Sequence, residues 1–112
     1  MKDRYVFPAI LTYEDKGISI EFPDLPGCLP CAESTEEAIK NAKEALELHL
    51  FGMEEDDEPI PEPTDIRKIK LIKDQTVILV DVWMTLVREE MMNRSNSLNH
   101  SFSRTLQGQG RL

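Results

Sequence analysis

Two cysteines three positions apart, Cys28 and Cys31, are the first residues whose types and spacing could do chemistry. A Cys-x-x-Cys pair serves either as a dithiol redox couple or as half of a zinc site. A redox pair should open a helix after a buried strand. Here a turn precedes it, an extended stretch follows, and Leu29-Pro30 lies between the thiols. There is no second cysteine pair, and His49 and His100 are not spaced to complete a metal site. Both cysteines are read as small strand residues. No metal and no cofactor are expected.

Carboxylates are the other candidates. Several acids gathered around two divalent ions can activate water and stabilise a leaving group. The acids that could do so are Asp15, Glu21, Asp24, Glu44, Glu47 and Asp81. Glu21 lies on the polar face of a strand, and Asp81 sits on another strand. Asp15 and Asp24 have the positions of turn formers, while Glu44 and Glu47 fall on the solvated side of a helix. With 21 acids in 112 residues, chance proximity is expected, so ordinary surface acids are the favoured reading. No Ser-His-Asp set, Cys-His set or glycine-rich phosphate loop is present. No catalytic residue is assigned, and the chain is not read as an enzyme.

The elements that must position any site are easier to read. Residues 4–13 are rich in aromatic and β-branched types and form a strand, with Pro8 demanding an edge or a bulge at its position. Glu14-Asp15-Lys16-Gly17 is a turn, and Ile18, Ile20 and Phe22 then alternate with Ser19 and Glu21. These two segments make an antiparallel hairpin. Pro23-Asp24-Leu25-Pro26-Gly27 breaks the strand, and a short extended piece, 28–32, follows. Ser34 and Glu37 have capping-box spacing at the start of a helix that runs to about Met53. Ala38, Ile39, Ala42, Leu46, Leu50 and Met53 form its apolar stripe, with His49 on the edge.

Residues 54–63 combine clustered acids with three prolines and form an irregular crossover. Residues 66–73 are compatible with a helical turn or an edge strand. Val77–Val87 is the strongest strand signal, apolar on both faces, which places it centrally with something packed on each side. Residues 88–94 could start a helix to cover the second face; another subunit is the alternative. From Ser95 the periodicity fails, and 95–112 reads as a flexible tail. The fold class is therefore α+β, in the order βββαβ, followed by a helical or disordered tail.

The joints between these elements resemble those of the HicB-type antitoxins of bacterial toxin–antitoxin pairs. The resemblance is carried by Tyr5-Val6-Phe7-Pro8-Ala9, by the stretch from Gly17 through Pro23-Asp24-Leu25-Pro26-Gly27 to Cys28, by Ser34-Thr35-Glu36-Glu37-Ala38 with Ala42-Lys43-Glu44-Ala45-Leu46, and by Val80-Asp81-Val82. It covers about residues 4–94, so that 1–94 is read as the antitoxin domain. It implies a partial RNase H-like fold, homodimers or higher homo-oligomers, and a HicA-type partner: a small basic toxin that cleaves messenger RNA. It also leaves a degenerate or metal-dependent RNase H-like nuclease, or a DNA-binding repressor of its own operon, as alternatives. Members of this subtype continue into a ribbon-helix-helix segment, which 95–112 does not match. A frameshift near 96–99 is the expectation there, and it puts DNA binding in doubt.

Charge agrees with a cationic partner. Residues 1–65 carry 17 acidic and 5 basic side chains, and 66–112 carry 4 acidic and 8 basic, within a net charge of −8. An acidic body repels nucleic acid and steers basic proteins. The turn Phe22, Pro23, Asp24, Leu25, Pro26 and Gly27 is the expected contact surface, because two rigid prolines present Leu25 at low entropic cost. The alternative is that Leu25 packs on its own core. The absence of a membrane span or signal pattern places the chain in the cytoplasm.

Overall fold

The computed structural model describes residues 2–101, with side chains to 93. A four-stranded antiparallel sheet is built from β1 (Arg4–Glu14), β2 (Gly17–Glu21), β3 (Cys31–Ala32) and β4 (Gln75–Trp83), in the order β3-β2-β1-β4. Helix α1 (Thr35–Glu55) covers one face, and α2 (Met84–Ser101) leaves the end of β4 to pack beside α1 and the start of β1. No helix among the described residues is long and apolar enough to cross a membrane.

The hairpin forms because Glu14 pairs with Gly17 across the two residues Asp15 and Lys16. Gly17 is required twice over. Its φ of +144° lies where a Cβ is disfavoured, and a Cβ there would stand 2.8 Å from the carbonyl oxygen of Ala32 on β3. Alternation then sends Ile18, Ile20 and Phe22 inward, while Ser19 and Glu21 face solvent. On β1 the inward set is Tyr5, Phe7, Ala9 and Leu11. Pro8 meets the expectation of a local edge. The ladder to β2 ends at Ile10↔Glu21, so on that flank Pro8 lies beyond the last paired position.

Helix α1 starts at Ser34, whose hydroxyl accepts from the Glu37 amide at 3.1 Å. The Glu37 carboxylate reaches back to the amide of Glu33, one residue before the cap, at 2.8 Å. Ala38, Ala42, Leu46 and Leu50 are fully buried against the sheet. Ile39, expected in this stripe, points out and is 52% exposed. The physical reason is angular: the buried set repeats every four residues, and position 39 lies about 100° from position 38 around the helix.

Two expectations for the last strand are corrected. The strand ends at Trp83, not at Val87, and β4 stands at the sheet edge while β1 takes the centre. The Met84 amide donates to the carbonyl of Asp3 at 2.6 Å, and from there Met84 and Val87 are buried at helical spacing while Leu86 is 64% exposed. The helix thus begins at Met84 instead of Arg88 and continues through Ser101, past the boundary at 94. The remainder of the expected tail, 102–112, lies outside the described residues, as do the side chains around 96–99. The α1–β4 connection contains one 3-10 turn, Ile66–Lys68, capped by Asp65.

The start of α2 is locked by Arg88, in its second turn. Its guanidinium donates to Glu54 on α1 at 2.9 and 2.7 Å, to Asp3 at 2.8 Å and to the Lys2 carbonyl at 2.7 Å. Glu54 in particular, and then Asp3, raise the Arg88 pKa above its already high value. Substitution of Gly17 by alanine should lower the unfolding free energy by more than about 1 kcal/mol in urea titration, since the added methyl meets backbone that cannot swing away. An unchanged midpoint would refute the close-approach argument.

Candidate functional site

The segment between β2 and β3 is a double turn. The Leu25 amide donates to the Phe22 carbonyl at 3.0 Å, and the Cys28 amide donates to the Leu25 carbonyl at 3.1 Å. Positions 22, 25 and 28 therefore point the same way, and all three side chains are buried. Gly27 supplies the positive φ, +92°, that the second turn needs. The Ile20 amide then donates to the Pro30 carbonyl, which returns the chain alongside β2.

Leu25, expected as the presented anchor, is 1% exposed and belongs to the core, as does Phe22. This is the second of the two readings left open from sequence. Pro23, Pro26 and Gly27 are the members of the turn that face solvent, with Asp24 half-buried and the neighbouring Leu29 68% exposed. The Asp24 carboxylate accepts from the backbone amide of Thr64 at 2.9 Å and from its hydroxyl at 2.5 Å. That pair ties the proline-rich crossover to the turn. The turn is thus held rigid from below by two buried side chains and from the flank by Asp24.

Of the carboxylates considered for metal chemistry, Glu21, Asp24 and Asp81 are not brought together. Asp81 is held by Arg4, whose guanidinium donates two bonds of 2.9 Å, and these keep the Asp81 carboxyl below its usual range. Glu21 lies opposite Ile10, whereas Asp81 lies opposite Val6 on the other flank of β1. Asp24 is engaged by Thr64. Among the described residues no three His, Cys, Asp or Glu side chains are grouped to hold a metal ion. Cys28 and Cys31 are free thiols; Cys28 is buried and burial pushes its pKa up to about 11, while Cys31 is exposed on β3.

Glu44 is exposed, as expected on the solvated side of α1, whereas Glu47 is half-buried. Together with Leu48 they form one wall of a cleft whose other wall is Glu90 and Met91 of α2. Burial raises the Glu47 pKa; Lys43 opposes the rise, and the neighbouring Glu90 and Glu44 add to it. An acidic cleft with apolar walls suits a lysine or arginine, whose stem can lie on Leu48 and Met91 while its head meets the carboxylates. The cleft escaped notice in sequence because α2 begins four residues earlier than its local pattern suggests. The Arg4–Asp81 and Arg88–Glu54 pairs were equally invisible, since nothing local links residues so far apart in the chain.

Two measurements check this geometry. Thiol titration of the native protein at pH 8 should find one fast-reacting cysteine, Cys31, and two after denaturation; two fast thiols in the native state would contradict the burial of Cys28. Because the folded pKa of Glu47 is raised, its contribution favours folding when protonated and is lost as pH rises through the ordinary value of 4.5 toward the folded one. Glu47→Gln should accordingly raise the melting temperature at pH 7, with the difference closing below pH 4.5. A variant that melts lower than the parent at pH 7 would reverse the sign argued here.

Comparison with known proteins follows the same line. The family model described as HicB_like antitoxin of bacterial toxin-antitoxin system matches residues 7–109. An uncharacterized 14.9 kDa protein from the rep-hol intergenic region of Haemophilus phage HP1 is 33% identical over 97 residues, covering 84% of this chain and 70% of the phage protein. A UPF0150 protein of Helicobacter pylori J99 is 39% identical over 49 residues, 44% of this chain and 68% of that protein. Among solved structures, a toxin–antitoxin complex from Streptococcus pneumoniae matches with a TM-score of 0.68 at 20% identity, over 89% of this chain and 97% of that one. The N-terminal domain of the Burkholderia pseudomallei antitoxin HicB matches with a TM-score of 0.59 at 23% identity, over 68% and 95%. At these identities the two structures establish a shared fold.

Proposed function

Since the chain belongs to the HicB-like antitoxin family, we propose that it silences a small basic mRNA-cleaving toxin of the HicA type by protein–protein contact, in the cytoplasm and as a homo-oligomer. The observation that carries this reading is the family match across residues 7–109. Physical chemistry supports it from two sides. The first 65 residues have a large acidic excess, which raises the encounter rate with a cationic protein and disfavours nucleic acid. The turn 22–27 offers rigid, exposed Pro23, Pro26 and Gly27, which lose little conformational entropy when covered.

In this proposal the contact surface comprises Pro23, Asp24, Pro26 and Gly27, with Phe22 and Leu25 holding it from inside the core. Acids on α1 and in the crossover after it, Asp56 to Glu58 among them, steer the approach and are exposed. Silencing then amounts to steric cover: a toxin whose basic RNA-binding face lies against an acidic protein cannot reach RNA. No step requires a metal, a nucleophile or a proton transfer by this chain.

The test is co-expression in a bacterial host. The toxin alone should arrest growth and deplete messenger RNA, and induction of this chain should restore both, with the two proteins co-purifying. Pro26→Asp, at an exposed position, should leave the melting temperature of this chain nearly unchanged while weakening toxin binding at least about tenfold, some 1.4 kcal/mol. Persistent arrest in the presence of abundant soluble chain would overturn the proposal. Full rescue with unweakened binding by the Pro26 variant would retain the function and move the contact away from the turn.

A further inference from the structure

The start of β1, the end of α1 and the first residues of the crossover enclose a cleft of about 300 Å³, walled by Lys2, Tyr5, Glu54, Asp57, Glu58 and Ile60. Tyr5 is 9% exposed, and its ring stacks with that of Phe7. Its hydroxyl has no hydrogen-bond partner among the described residues, although a buried tyrosine usually finds one. Over the ring lies the ammonium of Lys2, 5.1 Å from the centroid. The cleft therefore already holds a cation, one that the chain itself supplies.

The carboxylates around this cation are divided. Glu54 is occupied by Arg88, which donates to both of its oxygens. Asp57 and Glu58 are exposed and have no ion pair among the described residues; neither has Lys2. Asp57 stands, moreover, where glycine would serve the fold better. Its amide donates to the Glu54 carbonyl at 3.2 Å and the Glu58 amide to the Met53 carbonyl at 2.8 Å, the double closure that ends many helices. That closure puts Asp57 at a φ of +54°, in the left-handed region. Burial, and then the field of Glu54, raises the Tyr5 pKa; Arg88 opposes the rise, and Asp3 and Glu62 add to it.

We propose that this cleft is a seat for one arginine side chain of a basic protein, and that Lys2 is its resident competitor. A guanidinium over the Tyr5 ring would stack on it, donate to the unpartnered hydroxyl and reach Asp57 or Glu58. Lys2 makes only the first of these contacts, so the incoming arginine gains more than the displaced lysine loses. Displacement asks little of the fold. The Lys2 carbonyl stays anchored by Arg88, and only the side chain has to move. The source of the arginine rests on the proposed silencing of a basic toxin; in that setting Asp57 and Glu58 hold the partner as well as steer it.

Amide chemical shifts of the full chain, followed by nuclear magnetic resonance during titration with N-acetylarginine methylamide, test the seat. The citrulline analogue, neutral and of nearly the same shape, is the control. The arginine compound should shift Tyr5, Asp57 and Glu58 saturably and bind at least about tenfold tighter than the citrulline one. Lys2→Met should tighten its binding about threefold or more, while Lys40→Met, an equal change of charge at an exposed position of α1, should not. Asp57→Gly should weaken it at least about tenfold yet melt no lower than the parent, whereas Asp15→Asn, at an exposed position of the hairpin turn, should leave it unchanged. Absence of saturable shifts in both the parent and Lys2→Met overturns the proposal. So does equal binding of the citrulline compound, or parental binding by Asp57→Gly; a Lys2→Met variant without effect overturns the competitor. Co-purification with the toxin separates this inference from the reading it rests on. A toxin held equally by the parent and Asp57→Gly overturns the seat and leaves silencing standing. A parent that binds the arginine compound but captures no toxin supports the seat and overturns silencing.

Discussion

Alanine at positions 38 and 42 lets α1 lie close on the sheet, and the other elements take their places from that contact. Leu46 and Leu50 continue the same line toward the end of the helix, against the inward residues of β1 and β4. Tyr5, Phe7 and Leu11 belong to the same core, and full burial of a large apolar side chain is worth about 1.5–3 kcal/mol. A chain of this size has room for one such layer. On the edge strand the face turned away from α1 leaves Leu79 and Trp83 in solvent.

The constraint reaches the turn between β2 and β3. Phe22, Leu25 and Cys28 are drawn into the same core, so the prolines between them are turned outward by default. A rigid exposed surface is thus a by-product of core packing, and its rigidity does not depend on any partner. Asp24 extends the order to the crossover through Thr64, which otherwise has only an acidic, proline-broken sequence to define its path. The same economy appears at Arg88, one cation that joins the N-terminus, the end of α1 and the start of α2.

Charge is distributed by a similar logic. Acids on α1 and in the crossover remain in water, where they cost little and steer approaching cations. Where acids fall near structure they are matched: Asp81 by Arg4, and Asp3 and Glu54 by Arg88. In the cleft between α1 and α2, burial raises the Glu47 pKa, with Lys43 opposing the rise and Glu90 and Glu44 adding to it.

Local pattern in the sequence was enough to determine the hairpin, the capped helix and the inward residues of β2, because period-two and period-3.6 repeats report which side of an element is buried. The breaking turn and the charge asymmetry were legible for the same reason: both are properties of neighbouring residues. Tertiary structure decided the rest. Whether residues 84–87 continued the strand or opened a helix depended on the Asp3 carbonyl waiting for the Met84 amide, 81 residues away in the chain. Whether β4 was central or at the edge depended on which strands remained to flank it, and its doubly apolar sequence did not distinguish the two. Leu25 could face either way until the position of the core was set. These outcomes turn on contacts between residues far apart in the chain, which no local periodicity encodes.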